Sequence, residues 1–71
     1  MNPLLNFTIF CIENYKLHKS LTGKQVAELF KTYGVYDYIS EFYDILHTTG
    51  YQFINQDIDI YLNTRNAVLP V

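Results

Sequence analysis

A single cysteine in a chain of 71 residues is the tightest constraint on what this sequence can fold into. Very small domains commonly borrow stability from disulfides or from a multi-cysteine zinc site, and Cys11 alone can build neither. The fold must therefore rest on its hydrophobic core. At this length folding buries about 60% of the surface the unfolded chain exposes, enough for one domain with one small core and no large ligand cavity. Hydrophobic residues make up 49% of the chain and aromatic residues 17%, which places it far from the disordered class. Charged residues supply 17%, below the ~25% typical of soluble domains. The surface must then be completed by tyrosine, asparagine, threonine and left-over apolar side chains, which points to a partner. A free thiol suits a reducing cytosol. The first apolar run, Leu4 to Ile12, is interrupted by Asn6 and Thr8 and closed by Glu13, too short for the ~20 residues of a membrane span and unlike an export leader. A cytoplasmic protein without membrane contact is expected.

The pattern predicts an all-α domain of four helices over residues 1–65, followed by a tail over 66–71. The first helix is read from Leu4 to His18, with Pro3 at its start, where a missing N–H costs nothing. Its stripes, Leu4, Phe7, Cys11 and Asn14 on one side and Leu5, Ile9, Ile12 and Lys16 on another, make it apolar around most of its circumference. Burial by the other helices on more than one side is expected. The β-branched and aromatic stretch Phe7 to Ile12 would also suit a strand. The second helix carries the clearest signal. Thr22 and Gln25 have capping-box spacing, Val26, Leu29, Phe30 and Tyr33 share one face, and Gly34 is the stop. A third helix is expected to be capped near Asp37, with Tyr38, Ile39, Phe42, Ile45 and Leu46 inward and Gly50 ending it. Tyr51 to Ile54 then reads as a short extended stretch before Asn55 caps a last helix that turns Ile58, Tyr61 and Leu62 to one face. The tail from Asn66 has no periodicity and is either loose or docked in a groove. About a dozen inward side chains make a thin core for this length, of the kind commonly completed by oligomerisation, so a homodimer is expected.

No catalytic constellation emerges. A cysteine nucleophile needs a base within reach, and nothing brings Cys11 to His18 or His47; in an apolar helix the thiol reads as a small buried hydrophobe. His47, at the end of the third helix, suits the free carbonyls there, and an enzyme built on His47 with Thr48 or Thr49 is the least favoured reading. The histidines and carboxylates show no metal-ligand spacing, and the three glycines are too scattered for a phosphate loop. Neither enzyme nor cofactor is expected. Asp57 and Asp59 lie two apart, so on a helix they do not face each other and read with Glu41 and Asp44 as solvated acids. Gln25 to Phe30 followed by Gly34 suggests a helix-turn-helix, but its turn comes late and its would-be reading helix holds Asp37, Glu41 and Asp44 with no Lys or Arg. Such a helix repels phosphate. A nucleic-acid-binding transcriptional regulator using this degenerate helix-turn-helix, with Lys16, Lys19, Lys24 and Lys31 toward the phosphates, is the alternative reading.

The seven tyrosines cannot all be core, since Tyr36 and Tyr43 fall outside the Tyr38/Ile39/Phe42 stripe. Tyrosine offers large contact area with a polar tip, which favours interfaces. Tyr36 and Tyr43, with the acidic Asp37, Glu41 and Asp44, are accordingly the predicted partner contacts.

Phe10 to Lys16, Leu21 to Phe30, Tyr33-Gly34-Val35, Asp37-Tyr38-Ile39, Leu46 to Gly50 and Asp57-Ile58-Asp59 occur in an order and spacing that resemble a short bacterial family catalogued as domain of unknown function 3791. The resemblance covers roughly residues 6–65 and leaves out the tail. It implies a small bacterial cytosolic protein with no defined catalytic residues. It also implies a neighbouring gene for an ADP-ribosyltransferase-like protein, in an arrangement like a toxin–antitoxin cassette. Together these favour a binding role, as an antitoxin-like or accessory component.

Overall fold

The computed structural model describes residues 2–69 and, among them, contains only helices and their connections. They are α1 (Pro3–Lys19), α2 (Gly23–Thr32), α3 (Val35–Glu41), α4 (Tyr43–Leu46) and α5 (Tyr51–Thr64). Pro70 and Val71 of the predicted tail, and the side chain of Tyr51, lie outside the described residues.

Asn2 starts α1, its side-chain oxygen accepting the N–H groups of Leu4 at 3.0 Å and Leu5 at 3.2 Å. Ser20 ends it in a left-handed turn that lets the Leu21 N–H reach the Lys16 carbonyl. The inward side of α1 buries Cys11 and Tyr15 completely, with Leu4, Phe7 and Ile12 packed partly against the core. The expectation that the other helices enclose α1 is not met: Leu5, Ile9, Phe10 and Leu17 are exposed. Four shorter helices cannot encircle a helix of 17 residues, so only one of its apolar sides finds cover.

The α2 capping box forms as read, with Gln25 N–H on Thr22 Oγ1 at 3.1 Å and Thr22 N–H on Gln25 Oε1 at 2.9 Å. Val26, Leu29 and Phe30 are buried. Gly34 then takes a left-handed conformation, φ +74°, and turns the chain directly into α3. Tyr61 on α5 clamps this turn by donating to the carbonyls of Tyr33 and Gly34, both at 3.0 Å.

The predicted third helix comes as two pieces. It starts at Val35, ahead of the expected cap Asp37, because Gly34 already provides the reversal; Asp37 lies in the first turn. It breaks at Phe42, whose φ of -107° and ψ of 22° depart from helical values. The break changes the face: Val35, Ile39 and Leu46 are buried, but Phe42 and Ile45 point outward. The chain also leaves the helix before Gly50, where the hydroxyls of Thr48 and Thr49 both donate to the Ile45 carbonyl. Gly50, with φ -59°, caps α5 instead. The extended stretch expected at 51–54 is therefore the first turn of α5, and Asn55 is no cap. It is buried in the helix and accepts from Asn14 Nδ2 at 3.4 Å.

Ile54, Ile58 and Leu62 from α5 meet Cys11 and Tyr15 from α1, the α2 residues, and Val35 and Ile39 from α3 in one core. The tail is docked as far as it is described. Ala67 N–H bonds to the Leu62 carbonyl, Val68 N–H to Tyr33 Oη, and Leu69 packs on the core edge.

Candidate functional site

Residues able to do chemistry are mostly engaged in holding helices together. Cys11 is fully buried, and burial pushes its thiol up to about 12, so it is neither ionised nor accessible. His47, at the end of α4, places Nδ1 2.7 Å from the Tyr43 carbonyl and stacks its ring on Tyr43 with centroids 4.5 Å apart. His18 places Nε2 3.1 Å from Asp59 Oδ2. Each histidine is thus tied to a partner other than Cys11. Among the described residues, no group of three or more His, Cys, Asp and Glu is placed to hold a metal ion.

Asp59 is the one acid the sequence reading misplaced. Rather than standing free, its carboxylate joins α5 to α1, accepting from Tyr15 Oη at 2.6 Å and pairing with Lys19 Nζ at 3.2 Å and with His18. Burial alone would raise its pKa. The hydrogen bonds from Tyr15, His18 and Lys19 outweigh that and hold it below the usual carboxylate value. The Tyr15 hydroxyl is pushed up correspondingly, first by burial and then by Asp59. A signal for this existed: Tyr15, His18 and Lys19, three and four residues apart, share one end of α1 and converge on a single acceptor.

Of the four lysines considered for phosphate contact, Lys16 is paired with Glu13 at 2.8 Å and Lys19 with Asp59. Lys24 and Lys31 stand exposed on α2. The basic side is therefore half neutralised.

The predicted partner contacts separate. Tyr36 turns toward the core, donating to the Ala27 carbonyl at 3.4 Å and meeting the Phe30 ring edge-on. Burial, then the nearby Glu28, raises its pKa. Tyr43 is half-buried between His47 and Phe7. No described tyrosine side chain is exposed, because the described hydroxyls of Tyr15, Tyr36 and Tyr61 find acceptors on neighbouring helices or turns. Tyr36 and Tyr43 are thus partly buried rather than standing clear of the surface. On α3 and α4, Asp37, Glu41 and Asp44 are exposed as expected, and beside them Phe42 and Ile45 are 40% and 66% exposed. None of these three carboxylates enters an ion pair among the described residues. No helix among the described residues is long and apolar enough to cross a membrane.

The profile of the family described as "Protein of unknown function (DUF3791)" matches residues 6–65, and the chain belongs to that family. No curated protein and no solved structure matches it.

Proposed function

We propose that this member of the DUF3791 family is a non-enzymatic protein-interaction module that docks its partner on the α3–α4 surface. The observation that carries this reading is the outward pair Phe42 and Ile45, set among the exposed, unpaired carboxylates of Asp37, Glu41 and Asp44. An apolar centre with a charged rim is the usual anatomy of an interface. The sign of the rim selects a partner that brings Lys or Arg around an apolar plug. The predicted acidic contacts are kept in this reading, Tyr43 supports the patch from its edge, and Tyr36 serves the core.

The family resemblance supplies the finer form. The partner is an ADP-ribosyltransferase-like product of a neighbouring bacterial gene, met in the cytoplasm, and this chain is its neutralising or accessory component. A binding role is consistent with the use of Cys11, His18, His47 and Asp59 as structural groups. Co-expression of the two gene products followed by size exclusion tests the reading. Co-elution that is lost in Phe42→Ala/Ile45→Ala and in Asp37→Lys/Glu41→Lys, and that weakens with added salt, is expected. Two separate peaks from the wild-type pair would overturn it.

A further inference from the structure

We propose that the outward face of α1 and α5 binds a second copy of this chain. Six large apolar side chains stay exposed on these two helices: Leu5, Ile9, Phe10 and Leu17 on α1 are 56%, 50%, 44% and 76% exposed, and Phe53 and Ile60 on α5 are 52% and 61% exposed. A helix that is apolar on all sides belongs in a core, and within one copy α1 has cover on one side only. From the large areas of such side chains, these exposures together come to on the order of 600 Å² per copy, at the upper end of what a monomer ordinarily leaves in its largest apolar patch. With the groove between the helices included, that approaches the ~800 Å² per partner of a standard interface.

Charge decides what covers this face. A two-fold contact sets a patch against itself, so any net charge on it would be doubled. The α1–α5 face carries none unpaired. Glu13 pairs with Lys16, while His18 and Lys19 are bound to Asp59. The only other charged residue of α5, Asp57, acts on Tyr38 of α3. The groove between α1 and α5, about 480 Å³, is lined by Leu17, His18 and the amides of Asn14, Gln52, Asn55 and Gln56. Asn14 and Asn55 already bond each other, and the exposed amides are those of Gln52 and Gln56; an amide both donates and accepts, so these two can meet their own copies. The other charges without an ion pair among the described residues are Lys24, Glu28, Lys31, Asp37, Glu41 and Asp44, carried on α2, α3 and α4, and Arg65, just past α5, which lies over the Tyr61 ring. A strongly charged partner has nothing to grip on the α1–α5 face, whereas an identical copy meets no repulsion. This contact uses helices other than those of the partner surface above, and neither depends on the other.

Sedimentation equilibrium of the full chain from low to high micromolar concentration tests the inference. A concentration-dependent species of twice the 8.4 kDa chain mass is expected. Leu17→Glu and Ile60→Glu, each burying an unpaired charge in the contact, should raise the dissociation constant by about 100-fold or more, with the far-UV circular dichroism unchanged. Phe42→Glu, at the break between α3 and α4, should leave the dimer intact. A monomer at every concentration would overturn the proposal. So would a dimer indifferent to Leu17→Glu and Ile60→Glu, or one dissolved by Phe42→Glu alone.

Discussion

Removing either end of the Tyr15–Asp59 hydrogen bond should destabilise the fold, and by unequal amounts. Tyr15 is 0% exposed and donates at 2.6 Å, whereas the Asp59 side chain keeps 25% of its surface in solvent and is also held by Lys19 and His18. Tyr15→Phe removes the donor and strands nothing, since the carboxylate retains Lys19 and access to water. Its cost should be the net contribution of a hydrogen bond to a charged group, about 1.5 kcal/mol, the low end because Lys19 and water still reach the carboxylate. Asp59→Ala leaves a hydroxyl in the core without an acceptor, which adds ~1–2 kcal/mol to the lost bond, and it removes an ion pair contributing ~0.5 kcal/mol. The total is about 3 kcal/mol. In the double variant no hydroxyl is stranded, so its cost should fall short of the sum of the two single ones. Urea unfolding followed by circular dichroism at neutral pH reads this directly: with a slope of ~1 kcal/mol/M for so small a chain, the midpoints should drop by ~1.5 M and ~3 M. Equal losses, or strict additivity, would refute the claim that a stranded hydroxyl dominates. The acid limb gives a second reading. Because the folded pKa of Asp59 lies below its unfolded value, the stabilisation is complete above roughly pH 4 and is lost as pH falls through the folded value. Asp59→Ala should remove that portion of the acid-induced loss.

Gly34→Ala should cost about 1–2 kcal/mol by thermal or urea unfolding, because φ is +74° and the added Cβ would lie 3.2 Å from Tyr61 Oη, which clamps the same turn. Gly23→Ala is the control: its φ is not in the left-handed region and its new Cβ would meet only Lys16 Cδ at 3.9 Å, so a loss equal to that of Gly34→Ala would dismiss the argument. Thr22→Ala should lose ~1 kcal/mol by opening the α2 capping box, visible as a lower melting temperature; an unchanged melt would show that the cap contributes nothing. Cys11 should resist thiol reagents at pH 8 in the native state and label fully in 6 M guanidinium, since burial holds its thiol near 12. Rapid native labelling would mean that α1 is not seated as described.

Where local chemistry alone decides a feature, the sequence shows it. Thr22 and Gln25 lie within one turn of each other, so their reciprocal bonds need no other helix, and Gly34 is the residue that a left-handed reversal prefers. The inward faces of α2 and of the last helix follow from period alone, and Val26, Leu29, Phe30, Ile58 and Leu62 are all buried. The third helix was harder. Its apolar spacing continues smoothly through Phe42, but the backbone breaks there and the later residues turn to a different face. Periodicity assumes one unbroken axis, and nothing local in Phe42 announces the break. Likewise Asn55 has the chemistry of a cap, and it is spent instead on Asn14 of a helix more than forty positions away.

The candidate surfaces divide in the same way. The acidity of Asp37, Glu41 and Asp44 could be read directly, and so could the lack of cations in that segment. Which apolar residues stand beside them could not. Tyr36, expected outside, turned in because α2 places the Ala27 carbonyl where its hydroxyl can reach, while Phe42 and Ile45, expected inside, came out.

By itself, the sequence determined an all-α chain without disulfides, the capped start of α2, the glycine turn at position 34 and a surface poor in charge. These follow from residue chemistry and short-range spacing. Only the tertiary structure decided that α1 is covered on one side, that Asp59 is the tie between the first and last helices, and which apolar side chains remain exposed. Each of those is settled by where distant segments meet, and a chain of this size has too few helices to bury every apolar face its residues create.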